Sequence, residues 1–97
     1  MQKSYTNTGR SCRVTFEVPS QVEAQNVALC GDFNQWDPRK HSMKRRRDGS
    51  FSITVSLKPG SEYRFRYLLD GGKWENDWAA DRYVPNVFGT EDSVVVV

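Results

Sequence analysis

Hydrophobic and polar side chains alternate along several stretches of the chain, and such alternation predicts β-strands with one buried face. The first stretch covers residues 12–18 and is stopped by Pro19. A second stretch carries Val27 and Leu29, and a third covers residues 51–57. In these stretches the larger apolar side chains recur at every second position, so each strand is expected to turn one face towards a common core.

The most aromatic stretch, residues 62–69, predicts a further strand with two different faces. One face carries Tyr63, Phe65 and Tyr67. The opposite face carries Arg64, Arg66 and Leu68. The chain closes with the run SVVVV at 93–97. Its continuous β-branched side chains are typical of a strand buried inside a sheet.

Turn signals separate the predicted strands. Glycine tolerates the positive φ of tight turns, and it occurs in Asp48-Gly49, Pro59-Gly60 and Asp70-Gly71-Gly72. The polar segments 31–41 and 73–90 predict loops, the second with short strands inside it. No stretch of helical length shows a 3.6-residue period. We therefore predict an all-β protein with the architecture of a β-sandwich.

The length of 97 residues fits one domain. Residues 1–10 are polar and aperiodic, and they predict a flexible N-terminal segment. Residues 11–97 are expected to form the single domain. A domain of this size has a small core, so its twelve aromatic residues are needed to bury enough apolar area.

Acidic and basic residues nearly balance, and the formal net charge is +2. Such a balance gives no overall field that attracts nucleic acid or an anionic membrane, so we expect neither as a partner. The basic run at 44–47 resembles a phosphate-binding patch. Because Asp37 and Asp48 interrupt it and no aromatic residue is interleaved with it, we interpret it as a charged hairpin that protects a sheet edge.

Cys12 and Cys30 are too few for a disulfide framework, which predicts reduced thiols in a soluble cytoplasmic protein. The sequence shows no targeting signal, and no apolar run is long enough to span a bilayer. With the lone His41, the two cysteines make no metal site. Carboxylates are numerous, but in polar loops most are solvated. We expect neither catalysis nor a cofactor.

Two tryptophans stand in polar turns rather than in the alternating strands. Trp36 precedes Asp37-Pro38, and Trp74 lies between Lys73 and Glu75. An indole offers a broad apolar plate to the C–H face of a sugar ring, while polar neighbours bond its hydroxyls. The alternative is that both indoles only close loops onto the sandwich. Trp78, before two alanines, is interpreted as packing.

Ordered motifs along the chain resemble those of the family 48 carbohydrate-binding modules. The string GDFNQW at 31–36 is similar to the family signature G-x-F-N-x-W. DGSF at 48–51 matches the hairpin that enters the next strand, and PGSEYRFRYLLDG at 59–71 matches P-G-x-Y-x-[YF]-[KR]-[FY]-x-V-D-G. FGTEDSVVV at 88–96 is similar to the family's L-G-T-x-N-[NS]-x-x-x-V ending. The resemblance covers the chain from about residue 12 onwards.

This family includes the N-terminal early-set domain of isoamylases and glycogen-branching enzymes, and the glycogen-binding domain of the AMP-activated protein kinase β subunit. The resemblance therefore implies an immunoglobulin-like early-set β-sandwich. It implies that Trp36 and Trp74 are stacking plates and that Arg66 donates to glucose hydroxyls. The string DGGKW at 70–74 is one residue longer than the family's common D-G-x-W spacing.

The last loop supplies the rest of the implied site. Phe88 takes the place of an apolar residue that lies against a curved glucan, and Thr90 and Asp92 bond sugar hydroxyls. Asp92 stands where the family usually has Asn, and a carboxylate accepts but does not donate. We expect non-catalytic binding of α-1,4-glucan, with a glycogen-metabolising enzyme as a partner. The alternative is a protein-docking module of the same fold with a degenerate sugar site.

Overall fold

The computed structural model describes all 97 residues, Met1–Val97, as two antiparallel β-sheets packed face to face. The first sheet has the strand order β1-β2-β5-β4. Its strands are β1 (Gln2–Tyr5), β2 (Cys12–Val18), β4 (Lys44–Arg45) and β5 (Phe51–Leu57). The second sheet has the order β3-β6-β9-β8, and β7 also pairs with β6. Its strands are β3 (Val27–Gly31), β6 (Glu62–Leu69), β7 (Lys73–Glu75), β8 (Arg82–Pro85) and β9 (Glu91–Val96).

The core between the sheets follows the alternation seen in the sequence. Val14, Phe16 and Val18 of β2 are fully buried, and Phe65 and Tyr67 of β6 are buried in the same cluster from the other sheet. The rings of Phe16 and Phe65 meet edge to face with their centroids 5.0 Å apart. Interdigitating side chains of this kind make the core of an aligned sandwich. The predicted all-β, immunoglobulin-like fold is confirmed.

The N-terminal segment differs from the prediction of a frayed terminus over residues 1–10. Residues 2–5 form β1, which pairs antiparallel with β2. All four residues of β1 are exposed, so no hydrophobic alternation marks this strand in the sequence. Backbone pairing and an ion pair of 2.7 Å between Lys3 and Asp81 hold it against the domain.

The predicted Asp48-Gly49 turn connects β4 to β5, and Gly49 has a φ of 88°. The Asp48 carboxylate accepts hydrogen bonds from the backbone N and the hydroxyl of Ser50. These bonds hold the pKa of Asp48 below its ordinary value. Because β4 is an edge strand, the basic run at 44–47 lies on a sheet edge, where the sequence interpretation places it.

Both cysteines are buried and free. Cys12 lies in the first sheet and Cys30 in the second. Burial raises the pKa of the Cys30 thiol, and the negative charge of Asp37 adds to this effect.

None of the chain's helical turns approaches the length and apolar character needed to cross a membrane.

The outer face of the second sheet positions the candidate site. Strand β6 has β3 along one edge and, along the other, β9 beside its first half and β7 beside its second half. Its alternation places Arg64 and Arg66 on the outer face, opposite to Phe65. Strand β7 adds Trp74, which pairs with Leu68, and β8 adds Val84, which pairs with Asp92 of β9.

Candidate functional site

An open groove of about 670 Å³ lies on the outer face of the second sheet. All six residues that the sequence singled out line it, namely Trp36, Arg66, Trp74, Phe88, Thr90 and Asp92. They come from four separate parts of the chain: the loop after β3, strand β6, strand β7, and the loop that enters β9 together with the start of that strand. The fold therefore gathers the predicted site residues at one place.

The two indoles lie on the same side of the molecule and contact each other. The ring centroids of Trp36 and Trp74 are 6.2 Å apart, and the ring planes make an angle of 65°. Trp74 is 41% exposed, and Trp36 is half-buried. Neither ring is taken into the core, so together they form an angled apolar wall.

Trp36 is held in an uncommon backbone conformation. Gln35 and Trp36 have φ values of 59° and 58°, in the left-handed region that costs a non-glycine residue about 1–2 kcal/mol. The backbone N of Trp36 donates to the Gly31 carbonyl, and its indole Nε1 donates to Asp32 at 3.0 Å. These bonds offset the strain and fix the direction of the ring.

The conformation of this loop explains why the signature string needs its particular residues. A Cβ on Gly31 would lie 2.6 Å from the Arg64 carbonyl oxygen, so only glycine lets the loop approach β6 this closely. The buried Asn34 accepts from the Gly31 backbone N at 3.0 Å. Its amide donates to the carbonyl of Leu29 and to Nδ1 of His41. Asn34 thereby closes the loop that carries Trp36.

Arg66 lies over the second indole and has no protein partner for its hydrogen-bond donors. Its guanidinium carbon is 5.4 Å from the ring centroid of Trp74, a cation–π contact. Its Nε is buried without a hydrogen-bond partner. A buried donor left unpaired is costly, which is a reason to expect a ligand or water at this position.

Asn86 organises the last loop. Its side-chain oxygen accepts from the backbone N of Phe88 at 2.9 Å and of Thr90 at 3.2 Å. Its amide nitrogen donates to Oδ1 of Asp92 at 3.0 Å. The loop thus presents Phe88 with its side chain 83% exposed, while Asp92 is only 6% exposed.

Sequence reasoning missed four groove residues, Asp32, Arg64, Asn86 and Val87. Arg64 shares a face of β6 with Arg66, so the two-residue period could have identified it. Asp32 and Asn86 are small polar residues next to turns, a type that often caps local backbone. Val87 is 93% exposed and gives no signal in the sequence.

Trp78 lies outside the groove, as its interpretation as packing requires. Its ring stacks on Tyr67 with centroids 6.2 Å apart and an angle of 20°. The Tyr67 hydroxyl donates to Asp77 at 2.5 Å. Burial, with the negative charge of Asp77, raises the pKa of Tyr67.

No group of three or more His, Cys, Asp or Glu side chains is arranged to hold a metal ion.

The fold and the groove define a β-sandwich module with an open groove lined by aromatic and polar side chains. The sequence profile of carbohydrate-binding module 48 (isoamylase N-terminal domain) matches residues 6–84. The chain therefore belongs to the carbohydrate-binding module 48 family.

Curated relatives of the chain are 1,4-alpha-glucan branching enzymes. GlgB of Aquifex aeolicus is 38% identical over 68 residues, which cover 67% of this chain and 10% of that enzyme. GlgB of Synechococcus elongatus is 44% identical over 43 residues, covering 43% of this chain and 6% of that enzyme. GlgB 2 of Xanthomonas campestris pv. campestris is 35% identical over 51 residues, covering 52% of this chain and 7% of that enzyme. The chain thus spans a tenth or less of the length of these relatives.

Proposed function

We propose that the groove binds α-1,4-linked glucan by stacking sugar rings on Trp36 and Trp74, without transforming the sugar. The observation that carries this proposal is the contact of the two indoles at 65°, beside Arg66, which lies over Trp74 and whose buried Nε has no hydrogen-bond partner. A pyranose ring has an apolar C–H face and a rim of hydroxyls. The indoles suit the face, and the free donors of Arg66 suit the rim.

The angle between the indoles favours a curved ligand. Parallel plates suit a flat, extended chain, whereas two plates at 65° contact successive rings that turn relative to each other. Chains of α-1,4-linked glucose curve in this way. The exposed Phe88 also lines the groove and supplies a third apolar contact for such a chain.

The polar groups of the last loop and of the start of β9 complete the proposed site. Asp92 accepts from Asn86 through one oxygen, and its other oxygen faces Arg64 at 3.8 Å. That oxygen retains a lone pair for a sugar hydroxyl. Thr90 exchanges hydrogen bonds with Asn86 and holds its hydroxyl at the groove.

The bonding of the carboxyl groups in the groove supports binding without catalysis. Hydrolysis of a glycosidic bond uses a pair of carboxyl groups on either side of that bond. The groove contains Asp32 and Asp92, and both are already bonded to the protein. Asp32 accepts from Trp36 and from the Arg64 backbone, and Asp92 accepts from Asn86.

Because the curated relatives are branching enzymes, we expect a glucan-metabolising enzyme as the partner.

The test is a titration of the protein with maltoheptaose, followed by tryptophan fluorescence, with cellohexaose as the β-linked control. Binding is expected in the millimolar to micromolar range, about −4 to −8 kcal/mol. Trp36→Ala and Trp74→Ala should each weaken it by about tenfold or more, a loss of at least ~1.4 kcal/mol. Trp78→Phe is the matched control, since its ring lies outside the groove.

Folding of each variant is checked by thermal denaturation. If both alanine variants fold and bind maltoheptaose like the wild type, the site assignment is wrong. If the wild type binds no glucan at all, the docking alternative gains support. The exposed apolar tip formed by Val87 and Phe88 would then be its contact surface.

A further inference from the structure

A second depression adjoins the groove on the same face of the sheet. It has a volume of about 150 Å³, less than a quarter of the groove's 670 Å³. Asp32 and Arg64 line both. The remainder of its wall includes Glu62 and Arg82, and we call it the Glu62–Arg82 depression. The two hollows are therefore neighbours that meet at Asp32 and Arg64, and a ligand that occupies both must pass over these two side chains.

Strand register places this depression in line with the groove. Glu62, Arg64 and Arg66 point to the same side of β6, at successive steps of about 7 Å. Arg82 of β8 pairs with Val94 of β9, and Val94 pairs with Arg64. The depression therefore continues the line that begins at the indoles and runs along β6 past Arg64.

The charges of the depression balance each other. Arg82 holds Glu62 through two hydrogen bonds, one of them 2.6 Å between Nη2 and Oε1. Asp32 and Arg64 add one charge of each sign. A pocket with two acids and two bases has no preference for an anion or a cation. Its mixed donors and acceptors suit a neutral ligand that has several hydroxyls.

The ion pair leaves bonding capacity for such a ligand. An arginine has five N–H donors, and Arg82 uses two of them on Glu62. The side chains of Arg82 and Glu62 are 50% and 47% exposed, so their remaining donors and lone pairs are reachable from solvent. Val84 is half-buried and contributes apolar lining, against which a C–H group of a sugar can lie, while Val94 is buried beneath the depression.

We propose that the glucan groove extends past Arg64 into the Glu62–Arg82 depression, which binds the hydroxyls of a further glucose unit in longer chains. This inference rests on the proposed function. It adds a chain-length preference that the indoles alone do not give, because a short oligosaccharide fills the groove without reaching the depression.

The test compares maltotriose with maltoheptaose in two double variants. Glu62→Ala/Arg82→Ala removes the depression's ion pair. Glu17→Ala/Arg46→Ala removes a pair of similar exposure on the other sheet, with side chains 42% and 43% exposed. The first double variant should lose about three- to tenfold in affinity for maltoheptaose, the range of one net hydrogen bond or slightly more. Its maltotriose affinity should change less than twofold, and the control should change neither.

A measurement on the wild type keeps the test independent of variant folding. In ¹⁵N spectra, maltoheptaose should shift the backbone signals of Glu62, Arg82 and Val84, whereas maltotriose at equal saturation should not. If Glu62→Ala/Arg82→Ala loses equal affinity for both sugars, or no affinity for maltoheptaose, the proposed extension is wrong. The proposed binding at the two indoles is unaffected by either result. If the wild type binds neither sugar, both proposals fail.

Discussion

The indole of Trp36 is tied to the carboxylate of Asp32, with 3.0 Å between Nε1 and Oδ1. The second oxygen of Asp32 accepts a hydrogen bond from the Arg64 backbone N at 2.8 Å. One side chain therefore joins the strained loop to the strand that forms the floor of the groove. The direction of the first indole depends on this carboxylate.

Asp32→Ala should weaken maltoheptaose binding about fivefold, because Trp36 loses the bond that orients it. The free energy of unfolding should fall by about 1–3 kcal/mol, since the Arg64 N–H also loses its partner. Urea denaturation and fluorescence titration measure the two effects. Asp48→Ala is the control, because Asp48 also accepts two hydrogen bonds but lies in the distant hairpin. A folded Asp32→Ala that binds like the wild type would show that this bond does not orient the indole.

Asn86→Ala should loosen the loop that presents Phe88 and Thr90. Maltoheptaose affinity should fall by about three- to tenfold, because the loop must then be ordered on binding. Asn76→Ala is a matched control, since Asn76 also bonds the start of β9 but does not line the groove. Isothermal titration calorimetry should show a less favourable binding entropy for Asn86→Ala alone. Equal affinities for the two variants would contradict the role given to Asn86.

Gly31→Ala should destabilise the fold by about 1–3 kcal/mol, the usual cost of forcing extra volume into a packed site. The added Cβ would lie 2.6 Å from the Arg64 carbonyl oxygen and 2.9 Å from the Phe33 ring. Gly72→Ala is the control, because nothing lies within 4 Å of its Cβ position and its φ is not positive. Urea denaturation of both variants measures the difference. If Gly31→Ala is as stable as Gly72→Ala, the inference that the loop lies too close to β6 for a Cβ at position 31 is wrong.

Stability should depend on pH through Asp81, which links β1 to the other sheet. Burial raises the pKa of Asp81, but hydrogen bonds from Lys3 and the Val96 backbone N outweigh it and hold the pKa below its ordinary value of 3.8. A depressed pKa in the folded state adds stability above the unfolded value, and that stability disappears as the pH falls through the folded value.

Asp81→Asn should therefore be less stable than the wild type at pH 7 and equally stable near pH 2. Urea denaturation between pH 7 and pH 2 at low salt measures how the stabilities of the variant and the wild type converge. Lys3→Ala should show the same convergence with the wild type. A difference that stays constant over the whole range would mean that the carboxylate charge contributes nothing to the docking of β1.

Prediction from sequence succeeded where a residue's own neighbours carry the signal. Val14, Phe16 and Val18 alternate with polar residues because the pleat turns them to one side, and all three are buried. The prediction failed for β1, whose four residues are all exposed. An exposed edge strand is stabilised by backbone pairing, and every residue except proline has the same backbone donor and acceptor.

The same distinction applies to the candidate site. Trp36 and Trp74 were found because an indole in a polar turn is unusual in its own sequence context. Asp32 was missed, because a polar residue in a loop is ordinary until it is seen to hold another side chain. Its partner Arg64 is thirty-two positions away along the chain.

The sequence by itself determined that the chain forms a β-sandwich, because alternation along a strand records which side faces the core. It also determined the family to which the chain belongs. Only the tertiary structure decided that Trp36 and Trp74 meet at 65°, and that the Glu62–Arg82 depression lies next to the groove at Asp32 and Arg64. These relationships arise when distant segments pack against one another, and no local pattern encodes the angle or the gap that results.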